Sequence, residues 1–234
     1  MIADLERDLA ESERSLGQDD PATLGLRARL GLQYIHVRPD DAAKLLERNL
    51  AMAERVLGLD HSDTLKYRAV LGSAYLRAGR YPEDVVVSER NLAESERVLG
   101  PDHPDTVERR TSLGISYRCA GRPSDGVAQL QQSAADAERL FGRGTERTFA
   151  ARAALADVYR DEGRLDEAIS QLEQVFADCA RETGLTSNFA NAVGNNLAHC
   201  YFLAGRDREA KAVDKRLRDV YRDHWLGKAD ENQR

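Results

Sequence analysis

The chain has 234 residues, 41% of them hydrophobic and 32% charged, with a net charge of −6 at pH 7. There is enough apolar material for a core, and the acidic balance disfavours a nucleic-acid backbone as ligand, which needs a basic stripe. No run of eighteen apolar residues encodes a membrane span, and Cys119, Cys179 and Cys200, which form no C-x-x-C pair, read as reduced thiols of a cytoplasmic protein.

Residues 1–17 are acidic and amphipathic, unlike a signal peptide. Ile2, Leu5, Leu9 and Leu16 recur at helical spacing, so a leading helix is expected. No earlier helix stands to cover its apolar stripe. A second copy of the chain is expected to cover it, giving a homodimer, unless the segment belongs to a longer array.

From Gly17 onward a pattern repeats every forty-one or forty-two residues: Gly17, Gly58, Gly100, Gly142 and Gly184. Thirteen residues after each comes a leucine (Leu30, Leu71, Leu113, Leu155, Leu197), and four further on a tyrosine (Tyr34, Tyr75, Tyr117, Tyr159, Tyr201). The units are 18–58, 59–100, 101–142, 143–184 and 185–227, after a leading helix over 1–17 and before a polar tail, 228–234. The first unit has a turn, His36 to Pro39, that is one residue short and lacks glycine.

The second unit shows the local chemistry. Leu65, Ala69, Leu71, Tyr75 and Leu76 lie on one helical face over 63–78. Gly79 ends that helix, since glycine accepts the left-handed conformation there. Pro82 suits the first turn of the next helix, through Val85, Val86, Leu92 and Val98. In the following linker Asp102 or His103 caps the third unit and Pro104 takes its first helical position. His61 and His103 are accordingly read as caps, not metal ligands. The acidic pairs Asp19-Asp20 and Asp40-Asp41 suit helix starts for the same electrostatic reason.

Each unit is thus a hairpin of helix A and helix B, each about sixteen residues and roughly 24 Å long. Eleven helices are expected, the last from Arg208 to Trp225, with Ala210, Val213, Leu217, Val220, Tyr221 and Trp225 as its apolar stripe. Gly31, Gly72, Gly114, Ala156 and Ala198 follow the anchor leucines and let helix B approach. A second small column reads Ala42, Gly126, Ala168 and Ala210, with Asp84 as the exception. Arg27, Arg68, Arg110 and Arg152 stand three before the leucines, Gly194 in the fifth unit. They are expected to bond within the hairpin to Glu47, Glu89, Gln131 and Glu173.

Leucine, small residue, tyrosine, turn glycine and a small residue in helix B resemble the tetratricopeptide repeat. The period and the linkers Leu57-Gly-Leu-Asp-His-Ser-Asp-Thr64 and Leu99-Gly-Pro-Asp-His-Pro-Asp-Thr106 resemble its kinesin-light-chain type, as in bacterial signalling proteins. The resemblance covers essentially the whole chain. It implies an all-α, right-handed α-solenoid of antiparallel hairpins whose concave face, lined by the A helices, binds a protein or peptide.

Transferred by register, the implied contact residues are Leu32, Ile35 and His36 in the first unit, and Ser73, Leu76 and Arg77 in the second. They are Ile115 and Arg118 in the third, Asp157, Arg160 and Asp161 in the fourth, and Asn195, His199 and Phe202 in the fifth. Asn191 joins Asn188, Asn195 and His199 in a stripe at spacings of three and four, able to hydrogen-bond a peptide backbone. Asn188 can alternatively cap its helix. Asn195-Asn-Leu-Ala198 matches the family's motif, which the other units lack.

No constellation points to an enzyme. His199 and Cys200 are adjacent on a helix, so their side chains diverge by about 100° and cannot form a nucleophile–base pair. No phosphate loop, H-E-x-x-H or G-x-S-x-G segment occurs. The expectation is a non-enzymatic scaffold or sensor module that needs no cofactor or metal. A self-assembling regulatory module and a small-molecule sensor within a larger signalling protein are the alternatives.

Overall fold

A computed structural model describes residues 2–182 and 184–231, with side chains as far as Val220 and at Arg222 but not at Tyr221. The expected role of Tyr221 and Trp225 in the last apolar stripe lies outside those described side chains. Among the described residues there are eleven helices and no strand: α1 (Ile2–Ser15), α2 (Pro21–Tyr34), α3 (Pro39–Val56), α4 (Ser62–Arg77), α5 (Tyr81–Leu99), α6 (Pro104–Cys119), α7 (Pro123–Phe141), α8 (Glu146–Asp161), α9 (Leu165–Glu182), α10 (Asn188–Leu203) and α11 (Asp207–Glu231). The last runs beyond its expected end at Trp225. Contacts divide the chain after Arg122 into two compact units, α1–α6 and α7–α11.

The turn chemistry follows from single residues. After α4, Gly79 has φ +72°. Its N–H donates to the Leu76 carbonyl at 3.2 Å, and the Arg80 N–H to the Tyr75 carbonyl at 2.9 Å. These paired bonds need a left-handed residue after the helix, which glycine adopts without a Cβ penalty. The turns at Gly121, Gly163 and Gly205 repeat the geometry. The first hairpin omits the glycine, and the Arg38 N–H reaches the Tyr34 carbonyl directly at 2.7 Å. At the helix starts, His61 Nδ1 accepts from the Asp63 N–H at 3.1 Å and His103 Nδ1 from the Asp105 N–H at 3.2 Å. Histidine therefore fills the capping role. Ser187, not Asn188, caps α10, accepting from the Ala190 N–H at 3.1 Å.

The five anchor leucines are each no more than 4% exposed. Burial of such a side chain contributes roughly 1.5–3 kcal/mol. Gly31 lets α3 close on α2: a Cβ at that position would lie 2.7 Å from Leu46 Cγ. The fifth unit uses the same device at Gly194, where a Cβ would lie 2.8 Å from Leu217 and 2.9 Å from Phe176. That packing explains why the arginine column stops there.

Two expectations are corrected. The α1 stripe is not bare, because Leu5 and Leu9 are buried against Leu30, with Ile2, Leu26, Tyr34 and Leu45 around them. The helix that follows α1 covers the stripe, and Leu16 alone of the four residues is exposed. The premise for a homodimer through Ile2, Leu5, Leu9 and Leu16 fails accordingly.

The arginine column also pairs differently. Arg27, Arg68 and Arg110 donate to Glu13, Glu54 and Glu96 at 2.6, 2.7 and 2.7 Å, each fourteen residues earlier on the preceding B helix. Arg152 bonds within its own hairpin, but to Asp178 at 2.9 Å and Gln174 at 2.8 Å. Glu138, the position matching Glu96, is held by Arg143 at 3.0 Å.

The carboxylates expected to meet those arginines serve the tyrosines instead. Tyr75 donates to Glu47 at 2.9 Å and Tyr117 to Glu89 at 2.8 Å. Tyr34 and Tyr201 donate to Glu6 and Glu173. Gln131 donates to the Tyr159 oxygen at 2.8 Å. The arginine after each turn then lies over the same ring, from 4.0 Å for Arg38 on Tyr34 to 4.7 Å for Arg122 on Tyr117. Such stacking is a favourable cation–π contact.

Candidate functional site

The A helices carry the positions with binding potential. In the first unit, Leu32 is 45% exposed and faces a cleft of about 530 Å3 between α2 and α4, with Tyr67 and Val70 on its walls. His36, Ser73 and Arg77 are exposed, and Arg118 is half-buried. Ile35 is 5% exposed and belongs to the core with Leu46 and Leu50. The contact role expected for it is corrected. The short turn makes Ile35 the helical C-cap of α2, and its side chain packs inward.

Leu76 and Ile115 line a second cavity, of about 250 Å3, between α4 and α6 with α5 behind. It holds polar groups that the register did not flag as contacts. Asp84 is 2% exposed and its Oδ1 accepts from the Ser88 hydroxyl at 3.1 Å. Burial pushes its carboxyl pKa up to about 6. Arg109, 7% exposed, lies 3.5 Å from Asp105. Asn91, with its amide oriented to suit its neighbours, accepts from Arg109 Nε at 3.3 Å and donates to the Leu65 carbonyl at 3.1 Å. The one sign in the sequence was Asp84 breaking a column of small residues.

In the second unit, Asp157, Arg160 and Asp161 satisfy one another. Arg160 donates to Asp157 at 2.8 Å and to Asp161 at 2.9 Å, and Asn196 reaches Asp157 at 3.4 Å. Asn191 and Asn195 share a cleft of about 430 Å3 with Asp214, Leu217 and Arg218 of α11. Asn188 and His199 are exposed, and Phe202 is 65% exposed at the end of α10. Cys200 is buried, away from exposed His199, and burial raises its thiol pKa. Burial pushes the Cys179 thiol up to about 11. Neither is a ready thiolate. Among the described residues no group of three or more His, Cys, Asp or Glu is placed to hold a metal ion, and no helix is long and apolar enough to cross a membrane.

The tetratricopeptide-repeat family model matches residues 38–63, 64–105 and 148–188. A Podosopora anserina protein described as a kinesin light chain, with nearly identical TPR-like repeats, is 25% identical, with a TM-score of 0.78 over 88% of this chain and 98% of that one. The repeats and the fold are those of tetratricopeptide-repeat proteins of the kinesin-light-chain type. BtubC (BKLC) from P. vanneervenii shares the repeat fold at 18% identity and a TM-score of 0.77, over 95% of this chain and 90% of that one. MamA AMB-1 shares it more loosely, at 22% identity and a TM-score of 0.54, over 84% and 98%. The search of curated proteins found no match. Tetratricopeptide folds are generally scaffolds for protein–protein interaction and typically non-enzymatic.

Proposed function

We propose that this tetratricopeptide protein is a non-enzymatic module that binds an extended segment of a protein partner along its A helices, the concave side in this class of repeat. The observation that carries the reading is the open apolar cleft between α2 and α4, floored by Ala28 and flanked by Leu32, Tyr67 and Val70. An exposed apolar cleft beside polar side chains is the usual form of a peptide-binding groove. Arg77 and Arg118 along α4 and α6 supply polar contacts in the same unit; the Asn191–Asn195 pair on α10 offers hydrogen bonds of its own in the other unit. In the Asp157–Arg160–Asp161 cluster one guanidinium serves two carboxylates, which leaves a net negative charge there.

The test is selection of binders from a random peptide library, followed by affinity measurement on Leu32→Glu and, as a control on a B helix, Val86→Glu. Val86 is 67% exposed. The reading requires Leu32→Glu to weaken the selected peptides at least about tenfold, as loss of a central apolar anchor does, while Val86→Glu leaves them unchanged. The opposite pattern would place the binding surface on the B helices.

A further inference from the structure

The cavity behind Leu76 and Ile115 is built from breaks in the repeat. Asp84 stands where other hairpins have Ala42, Gly126, Ala168 and Ala210. Ser88 replaces Leu46, Leu130 and Leu172, each fully buried, while the last hairpin has Asp214 there. Arg109 replaces Leu26, Tyr67, Ala151 and Val193, and Ser116 replaces Ala74, Val158 and Cys200, with Gln33 in the first hairpin. Four polar residues thus fall within one repeat length in columns that are otherwise mostly apolar or small, and all four line the same cavity. Unrelated surface drift would scatter them.

The two charges inside, Asp84 and Arg109, form no ion pair with each other. Arg109 is engaged by Asp105 and by Asn91. Asp84 Oδ2 is buried with no hydrogen-bond partner. A buried acceptor left unpaired is costly, and a carboxylate more so, unless a donor reaches it. A cationic donor answers both the missing bond and the charge. The exposed lining residues Ser73 on α4 and Ser112 on α6 put the approach on the A-helix face.

We propose that this cavity receives the lysine or arginine side chain of a partner segment lying across α4 and α6, with Asp84 as its counter-ion. The assignment rests on the A-helix binding role above and names the chemistry of the partner there. Ser88 and Ser116 supply hydroxyls around the carboxylate, and Leu76 and Ile115 cover the aliphatic stem. The charged groups lining the cavity are Asp84 from α5 and Arg109 from α6, with none from α4. Binding therefore weakens as pH falls and Asp84 protonates, while Arg109 keeps its charge.

The test titrates the isotopically labelled chain with acetyl-Gly-Lys-Gly-amide, its arginine analogue and its glutamine analogue, following backbone amide shifts. The basic peptides should shift the amides of Ser73, Asn91 and Ile115. The glutamine peptide should bind at least about tenfold more weakly, as should the lysine peptide on Asp84→Ala, because loss of one partner of a desolvated charge pair costs that much or more. Three other hairpins carry alanine in that column, so the variant suits the fold, and Asp84→Asn repeats the test at constant shape. Equal binding of the glutamine peptide, equal affinity on either variant, or no shift of the lining amides would overturn the proposal. The two readings fail separately. Library peptides that need Leu32 but ignore Asp84 would sink the cavity alone. A lysine peptide that needs Asp84 beside library peptides indifferent to Leu32 would sink the groove alone.

Discussion

The Tyr75 hydroxyl donates to Glu47 Oε1 at 2.9 Å, joining an A helix to the B helix of the hairpin before it. Arg80 donates to the same oxygen at 2.9 Å and lies 4.4 Å over the Tyr75 ring. The carboxylate holds the phenol un-ionised, and burial with that bond pushes its pKa up to about 12. Tyr75→Phe removes the bond and keeps the ring. It should lower the free energy of unfolding by about 1 kcal/mol, a modest value because Glu47 is partly exposed. Urea denaturation of Tyr75→Phe, Glu47→Gln and the double variant should show that the two losses do not add.

Arg68 is fully buried, and its bond to Glu54 decides its energetics. Glu54→Ala leaves a buried guanidinium without its carboxylate and should cost about 3 kcal/mol. A double-mutant cycle of Arg68→Met with Glu54→Gln should show strong coupling. The same cycle with Glu89→Gln should show coupling below about 0.5 kcal/mol, since Glu89 serves Tyr117. Coupling to Glu89 instead would contradict the pairing described above.

Gly31→Ala places a methyl group against Leu46, which is fully buried and has no room to withdraw. Overpacking of this kind costs roughly 1–3 kcal/mol. Thermal unfolding of the variant should show the loss, and pairing it with Leu46→Ala should recover part of it.

The buried carboxyl of Asp84 makes stability depend on pH. Its pKa rises from 3.8 to about 6 on folding because burial penalises the charged form. Between those values the folded chain binds more protons than the unfolded chain, so this contribution to stability falls as pH rises through that window. The difference is worth roughly 3 kcal/mol at most. Asp84→Ala removes it. The variant should therefore gain on the parent between about pH 4 and about pH 7, as read by urea denaturation at each pH. A constant gap would mean that Asp84 titrates normally.

The repeat was legible because each column has one physical cause. A left-handed turn requires glycine, a close helix approach requires a small residue, and a shared core requires leucine and tyrosine at fixed register. The arginine pairing was harder to read. An A helix is flanked by its own B helix and by the preceding one, and Glu47 and Glu54 are a heptad apart on one of them. Sequence spacing alone does not tell Arg68 which neighbour it faces. Ile35 was misplaced because register transferred from glycine turns does not hold at a turn one residue shorter. The polar cavity stayed hidden because Asp84, Ser88, Arg109 and Ser116 come from two helices and converge only once these are packed.

In the first unit the hydrogen bonds from Arg27 to Glu13, from Tyr34 to Glu6 and from Arg38 to Glu6 all point back to α1. Each later hairpin there leans on the one before it in the same way. The first unit thus has a head and a tail. Trimming α1 would leave a buried guanidinium stranded at the new front edge, whereas trimming the unit at its rear would take cations away together with nothing they leave behind but surface acids. Within this unit Glu13, Glu54 and Glu96 each leave the ribosome before the arginine that needs them, so each new hairpin there finds its dock already built.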